Sequence, residues 1–198
     1  MRRVVVFNYN SKFAPYFGET IARYNESRPG NRFVMDMYLF DRVESESDAG
    51  PADVIIHSGG DGRPVRENVH SVPKIYICHS HEWKAQAGGG ELIQLSGCIK
   101  GVQHVDILEE DDILGTRGKM PIMKYHELAI TTAPWDAEVL AVSKALDEDN
   151  RVIEIIEALK YDDGSISIQG HPEEGTAEHI IHNMFDRVSS DNLLQPAR

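Results

Sequence analysis

An apolar run near the N-terminus is the feature that most constrains the fold of this chain. Residues 3–7 carry three consecutive valines and a phenylalanine, and the polar, turn-like segment 8–11 follows them. Such continuous apolarity is typical of a strand covered on both faces, because a half-exposed strand alternates apolar with polar residues. The run therefore predicts a central parallel strand in a sheet that is flanked by helices.

Helical and extended segments alternate behind this first strand. Residues 13–25 carry apolar side chains at helical intervals before a Pro-Gly break, and a short helix is predicted over residues 81–87, where three glycines end it. Further strands are predicted over residues 33–40, 53–57 and 74–77. This alternation indicates a right-handed α/β fold with a mostly parallel sheet and a site at the carboxyl ends of the strands.

The second half of the chain predicts shorter strands, which either extend the sheet or form meanders. They lie in segments 91–95, 101–108, 120–131 and 152–168. Residues 176–188 place apolar side chains on one helical face, which predicts a helix across the sheet. The acidic stretch 44–53 predicts a mobile surface loop.

Length and charge narrow the classes of function. The 198 residues and 22.2 kDa fit a single domain over residues 1–198. The net charge of -12 opposes nonspecific attraction to nucleic acid or to an anionic membrane, so neither is an expected partner. The first apolar run is too short for a signal segment or a membrane span. We therefore expect a cytoplasmic protein with two free thiols, Cys78 and Cys98.

Cys78 directly follows the predicted strand 74–77 and precedes a predicted helix. A thiol in such a turn lies near unpaired backbone N–H groups and the positive end of the helix, which predicts a pKa lowered toward neutrality. The same turn exposes a nucleophile at the edge of the sheet. Cys78 is therefore the candidate nucleophile, and an inert core cysteine is the alternative.

His171 and Glu173 lie two positions apart around Pro172. On an extended segment both side chains point the same way, so the carboxylate can orient the imidazole as in a nucleophilic triad. A solvent-facing ion pair has the same spacing. Gly59 and Gly60 follow an earlier predicted strand and either supply oxyanion donors or form a plain turn.

Neither a metal nor a cofactor is expected. Residues 78–82 contain a cysteine, two histidines and a glutamate, but their spacing matches no standard zinc pattern. The sequence also contains no nucleotide-binding loop of the G-x-x-x-x-G-K-S/T type.

Four segments carry a resemblance to the class I, or triad-type, glutamine amidotransferases, and this resemblance spans nearly the whole chain. Residues 6–13 resemble the family's D-N-Y-D-S-F turn, residues 55–60 its L-S-G-G strand, residues 76–82 its G-I-C-x-G-x-Q turn, and residues 169–173 its Q-F-H-P-E. The motifs are closest in style to the glutaminase subunits of anthranilate and aminodeoxychorismate synthase and of GMP synthase. Their order and separation make a strong joint signal. Residues 124–128 also resemble the family's R-Y-H-S-L segment near the substrate, which includes His126.

The resemblance implies a flavodoxin-like domain with a strand-turn-helix nucleophile elbow that hydrolyses glutamine. Cys78 attacks the side-chain amide, His171 passes a proton to the departing ammonia, Glu173 orients His171, and water releases glutamate from a γ-glutamyl thioester. The residues implied for the oxyanion and for substrate binding are Gly59, Gly60, His79, Glu82 and His126. The ammonia then passes to a separate synthase subunit, which is the implied partner.

Three departures from the family pattern keep alternatives open. Tyr76 and Ser80 stand two positions either side of Cys78, where the family has small residues, and Glu82 replaces the usual glutamine. Glu82 favours a γ-glutamyl hydrolase that acts on another γ-glutamyl compound. Tyr76 and Ser80 favour a noncatalytic binding or regulatory homologue.

Overall fold

One sheet of nine strands organises residues 1–191, the part of the chain described by the computed structural model. In chain order the strands are β1 (Arg2–Tyr9), β2 (Phe33–Leu39), β3 (Val54–Gly60), β4 (Lys74–Ile77), β5 (Glu91–Ile107), β6 (Gly118–Thr132), β7 (Ala137–Leu146), β8 (Val152–Tyr161) and β9 (Ile166–Ile168). The α-helices are α1 (Tyr16–Ser27), α2 (His79–Ala87) and α3 (His179–Asp191), and single 3-10 turns cover Glu46–Ala49 and Pro172–Glu174.

The sheet has two halves of opposite character. Its strand order is β2-β1-β3-β4-β9-β8-β6-β5-β7. The first five strands of that order pair in parallel and are called the parallel half. The other four, β8, β6, β5 and β7, pair antiparallel and are called the antiparallel half. The expectation of a mostly parallel sheet is therefore corrected, because short hairpin connections after α2 force neighbouring strands to run in opposite directions.

Both faces of the parallel half are covered. Val4, Val6 and Ile56 pack on one face in a core shared with α1 and α3. Val5 and Ile55 pack on the other face against the connections that follow β2 and β3. This burial explains the unbroken apolar runs of these strands.

The acidic stretch 44–53, predicted as a surface loop, is exposed along half of its residues but also buries three residues against the sheet. Glu46 is 1% exposed and Ala49 is also buried. Ser45 and Asp48 form a capping box that closes the 3-10 turn Glu46–Ala49. A carboxylate at this depth requires several hydrogen-bond donors, and the sequence pattern does not reveal them.

The antiparallel half is built from long strands. Segments 91–95 and 101–108 belong almost entirely to the single strand β5, which has an irregularity between Gln94 and Ile99. β7 is a strand that the sequence pattern did not predict, and segment 152–168 is divided into β8 and β9 by a turn. No helix among residues 1–191 is both long and apolar enough to cross a membrane.

Candidate active site

Cys78 occupies a strained turn between β4 and α2. Its backbone has φ 54° and ψ -113°, and a positive φ is uncommon for a residue with a side chain. Its N–H donates to the carbonyl of Ile168 on β9 at 2.7 Å, and its carbonyl accepts the N–H of Glu82 at 3.1 Å. Neighbouring strand and helix therefore hold the turn on both sides, with the thiol at the carboxyl end of β4.

The space around the thiol depends on Gly59 at the end of β3. A Cβ added at Gly59 would lie 2.9 Å from Cε1 of His171, 3.1 Å from Cβ of Cys78 and 3.7 Å from its Sγ. The first separation is shorter than a Cβ contact allows, and the second is tighter than most such contacts. Gly59 thus allows the imidazole and the thiol to approach the same point.

His171 is held on three sides. Its Nδ1 lies 2.9 Å from Oε1 of Glu173, and both side chains are buried. Its backbone N–H donates to the carbonyl of Met123 on β6 at 2.7 Å, and the ring centroid of Phe13 lies 4.0 Å from that of the imidazole. Because a carboxylate only accepts hydrogen bonds, Nδ1 carries a proton, and in the neutral imidazole Nε2 is the nitrogen with the lone pair.

Cys78 and His171 line one pocket of about 470 Å³. The sequence-predicted residues in its wall are Gly60, Cys78, His79, Glu82, His126 and His171. Gly59 lies against Cys78 and His171, and Glu173 contacts His171 from a buried position. The structure therefore brings all eight predicted residues together around this pocket.

Several wall residues were not predicted from the sequence, among them Lys12, Phe13, Gln94, Cys98 and Tyr125. Three of these belong to segments 6–13 and 124–128, whose family resemblance was the available signal. The other two come from β5, where no motif marks them. Nζ of Lys12 lies 2.9 Å from the ring centroid of Tyr125, a cation–π contact in the pocket wall.

Glu82 places a carboxylate in the pocket from the first turn of α2. Its Oε1 accepts the side-chain N–H of Gln169 at 2.9 Å, and its Oε2 lies 3.6 Å from Nδ1 of His79. A negative charge at this helix end is favoured by the helix dipole. Glu82 is therefore an acceptor held in the wall of the pocket by Gln169.

His126 presents a neutral imidazole to the same pocket. Its Nδ1 lies 2.7 Å from the carbonyl of Leu128 and therefore donates to it, which leaves Nε2 as a buried acceptor. Burial lowers the pKa of His126. Among residues 1–191, no group of three or more His, Cys, Asp or Glu is arranged to hold a metal ion.

The predicted lowering of the Cys78 pKa is wrong. Burial raises the pKa of the thiol well above its ordinary value, and the carboxylates of Glu82 and Glu173 act in the same direction. The N–H of His79 lowers the pKa but does not outweigh them. The thiol therefore keeps its proton until a base such as His171 removes it.

Tyr76 and Ser80 are both accommodated. The ring of Tyr76 points to the sheet face opposite α1 and α3, where it stacks on His57 at 4.7 Å and donates to Oε2 of Glu67 at 2.8 Å. Ser80 donates to the carbonyl of Ser58 at 2.6 Å. Neither side chain lines the pocket.

Comparison with known proteins identifies the family to which the sequence of this chain belongs. The family model described as glutamine amidotransferase class-I matches residues 36–189. One subunit of the glutamine-hydrolysing GMP synthase of Methanothermobacter thermautotrophicus is 31% identical over 120 residues, which are 58% of this chain and 60% of that protein. The corresponding GMP synthase subunit of Pyrococcus abyssi is 30% identical over 111 residues, 55% of each protein. The matched region thus spans less than two thirds of these relatives.

Solved structures share the fold at low sequence identity. A structure from Thermoplasma acidophilum, assigned to a subunit of GMP synthase, aligns with a TM-score of 0.75 and 16% identity over 98% of both chains. A glutamine amidotransferase from Thermotoga maritima aligns with a TM-score of 0.62 and 12% identity, over 97% of this chain and 86% of that one. With the family model covering most of its length, this chain belongs to the class I glutamine amidotransferases.

Proposed function

We propose that this chain hydrolyses glutamine to glutamate and ammonia through Cys78, His171 and Glu173. The observation that carries the proposal is the convergence of Cys78 and His171 on one pocket, with Glu173 hydrogen-bonded to the far side of the imidazole at 2.9 Å. A thiol, a base and a group that orients the base are the parts required for nucleophilic acyl transfer.

The first half of the reaction forms a thioester. His171 Nε2 takes the proton of Cys78 as Sγ attacks the side-chain amide carbon of glutamine. The C–N bond then breaks, and the protonated imidazole returns the proton to the departing nitrogen, which leaves as ammonia. Because the thiol pKa is raised, proton transfer and attack belong to one coupled step.

The second half consumes a water molecule. His171 takes a proton from water as the oxygen attacks the γ-glutamyl thioester. The C–S bond then breaks to release glutamate, and the imidazolium returns the proton to the departing sulfur, which regenerates the thiol and the neutral base. Glu173 keeps Nδ1 protonated throughout and stabilises the imidazolium. The positive φ of Cys78 supports its role in a nucleophile elbow, in which the turn exposes the sulfur.

The oxyanion of each tetrahedral intermediate is assigned to backbone N–H groups. His79 is the first residue of α2, so its N–H has no partner within the helix, and Gly60 lines the pocket from the end of β3. Donors held rigidly at the point where negative charge develops are a major source of rate.

The released ammonia is proposed to serve a separate synthase subunit. The two GMP synthase relatives are named as subunits of that enzyme. A third relative, from Xylella fastidiosa, is named as the small chain of carbamoyl phosphate synthase and is 29% identical over 118 residues, 59% of this chain and 29% of that protein. By this analogy the chain acts beside a partner that accepts the ammonia.

Glu82 supports a second candidate, hydrolysis of a γ-glutamyl compound other than glutamine. The carboxylate faces a pocket of about 470 Å³, which accommodates a group larger than an amide nitrogen. Tyr76 no longer favours a noncatalytic homologue, since its ring faces away from the pocket.

The test is glutamate release from glutamine and from a panel of γ-glutamyl amides and peptides. We expect glutamine to be the preferred substrate, with activity lost in Cys78→Ala and retained in Cys98→Ala, a matched change in the same pocket. Preference for a γ-glutamyl peptide would establish the second candidate. Release that persists in Cys78→Ala would contradict both.

A further inference from the structure

A buried charged cluster lies on the face of the parallel half opposite α1 and α3. It is called the Glu46 cluster and consists of Tyr9, Glu46, His57, Glu67 and Lys74. All but Glu67 are almost fully buried, and none of the five lines the pocket. The glutaminase mechanism proposed above makes no use of any of them.

Glu46 is the centre of this cluster. Its Oε1 lies 2.7 Å from Nζ of Lys74 and 3.0 Å from Nε2 of His57. Its Oε2 accepts the backbone N–H groups of Asn68 and Val69 at 2.9 and 2.8 Å. Four donors on one carboxylate fix the connection after β3 to the connection after β2.

His57 connects Glu46 to Tyr9 through hydrogen bonds. Nε2 of His57 donates to Glu46, so Nδ1 accepts the hydroxyl hydrogen of Tyr9 at 2.7 Å. The His57 ring stacks between the sheet residues Phe7 and Tyr76, at centroid distances of 5.3 and 4.7 Å. Its orientation is therefore determined by packing as well as by hydrogen bonds.

The backbone of Tyr9 reaches the pocket wall. Its carbonyl accepts the N–H groups of both Asp61 and Gly62 at 2.9 Å, and its N–H donates to Oγ of Ser58 at 3.1 Å. Gly60 lies between these anchors with φ 118°, and a Cβ there would be 1.9 Å from the Tyr9 carbonyl oxygen. The position of Tyr9 thus sets the position of Gly60.

We propose that Glu46 and His57 are positioning residues that act through Tyr9 to hold the Gly60 N–H where the oxyanion forms. The inference rests on the proposed glutaminase function, in which Gly60 is an oxyanion donor. A buried ion pair contributes little net stability compared with apolar residues of the same volume. The Glu46 cluster instead fixes the geometry at the end of β3, because its hydrogen bonds are directional. An apolar cluster of the same volume would not fix it in this way.

The test uses the full chain and three variants, Tyr9→Phe, His57→Phe and the double variant. Each single change keeps an aromatic ring and removes the Tyr9–His57 hydrogen bond. Tyr24→Phe is the matched control, because it deletes another buried tyrosine hydroxyl, bonded to Asp186 at 2.8 Å on the opposite face. The readouts are kcat and KM for glutamine and the rate of Cys78 alkylation by iodoacetamide.

We expect kcat to fall about tenfold in each single variant, less than the loss on deleting an oxyanion donor outright. The double variant should be no slower than the worse single variant, because the two residues act as one connection. KM, the alkylation rate and the kcat of Tyr24→Phe should all stay within about twofold of wild type, since the pocket and the thiol are unchanged.

The inference is overturned if kcat stays within about twofold of wild type in Tyr9→Phe, the variant least disturbing to folding. A fall in the alkylation rate parallel to kcat, or an equal loss in Tyr24→Phe, would also overturn it by showing a general structural effect. Absence of Cys78-dependent turnover in the wild-type chain would instead contradict the proposed function, so the wild-type rate distinguishes the two failures.

Discussion

The parallel and antiparallel halves of the sheet differ in burial and in what they bring to the pocket. β3 is buried along six of its seven residues, whereas β5 is mostly exposed along its 17 residues. The parallel half presents Gly60, Cys78 and His171 at the carboxyl ends of β3, β4 and β9. The antiparallel half presents Gln94, Cys98 and the segment 125–128 as further lining residues of the same pocket.

The two halves therefore have different proposed roles. The parallel half supplies the reacting residues, and the antiparallel half determines which substrate shape the pocket accepts. The residues proposed to carry the reaction come from the doubly covered half, where packing should resist a small displacement of the thiol or the imidazole. Two backbone carbonyls of the antiparallel half contact the proposed reacting residues: that of Tyr125 lies 3.7 Å from Cys78 Sγ, and that of Met123 accepts the His171 N–H. We therefore expect changes in the two halves to have different consequences.

The largest expected effect is on turnover and comes from the parallel half. Cys78→Ala should lower glutamine hydrolysis about 10⁴-fold or more, because the acyl acceptor is removed. Steady-state glutamate release measures this. Cys98→Ala, in the antiparallel wall, should remain within a few-fold of wild type. A comparable loss in Cys98→Ala would remove the distinction between the halves.

Glu173→Gln should lower kcat about 10³-fold, because a glutamine cannot hold His171 in the required tautomer or stabilise the imidazolium. Glu174→Gln is a matched control on the next residue, whose carboxylate bonds Thr176 at the surface. Its kcat should be unchanged. Equal kcat values for Glu173→Gln and wild type would show that Glu173 does not orient the base.

In the antiparallel half the main consequence is for stability. Nζ of Lys124 contacts Oε1 of Glu157, and both side chains are buried. Lys124→Met should lower the free energy of unfolding by about 3 to 5 kcal/mol, because it leaves a buried carboxylate unpaired. Urea denaturation measures the loss, and Lys124→Met with Glu157→Met should recover most of it. No recovery would mean that the lysine contributes packing rather than charge.

Acid should weaken the parallel half through Glu46. Burial alone would raise its pKa, but hydrogen bonds from His57, Lys74 and Val69 outweigh burial and lower the pKa from 4.5 to about 2. The folded chain then binds fewer protons than the unfolded chain between these values, so stability present above pH 4.5 is lost as the pH falls toward 2.

The expected loss from this one group is on the order of 3 kcal/mol. Urea unfolding of wild type and Glu46→Gln at several acidic pH values measures it. The variant should be less stable near neutral pH and should show a shallower decline with acid. Parallel curves for the two proteins would contradict the assignment of the slope to Glu46.

Trp135→Ala should give the smallest effect. Trp135 follows β6 and is 87% exposed, so its removal should change the free energy of unfolding by no more than about 0.5 kcal/mol. Thermal or urea unfolding measures this. A larger loss would show that the antiparallel half depends on contacts beyond its buried strands.

The parallel half is readily predicted from the sequence because its strands carry a local signal. The β-branched runs of β1, β3 and β4 need no knowledge of their neighbours. Cys78 directly follows β4, so the sequence alone predicts that the thiol lies at the carboxyl edge of the parallel strands. His171 and Glu173 follow β9, which the sequence pattern did not separate from segment 152–168. Their approach to Cys78 is predicted only by the triad-like spacing and by the resemblance to the amidotransferase family.

The secondary structure of the antiparallel half is less predictable from the sequence, because it depends on which strands pair with each other. β7 is rich in alanine, with glutamate, leucine and lysine, which are helix-forming residues, and it becomes a strand through its register with β8. The raised pKa of Cys78 escapes prediction for a related reason. The turn predicts an electropositive site, but burial by distant segments opposes it most, together with the carboxylates of Glu82 in the next helix turn and of Glu173 in a distant segment.

The central claim is tested most directly by labelling the purified chain with the glutamine analogue 6-diazo-5-oxo-norleucine and locating the adduct by peptide mass spectrometry. We expect one adduct, on Cys78, that is absent in Cys78→Ala and retained in Cys98→Ala. A folded chain that gives no adduct while iodoacetamide still modifies Cys78, or that carries the adduct on Cys98, would contradict the assignment of this pocket as a glutaminase site.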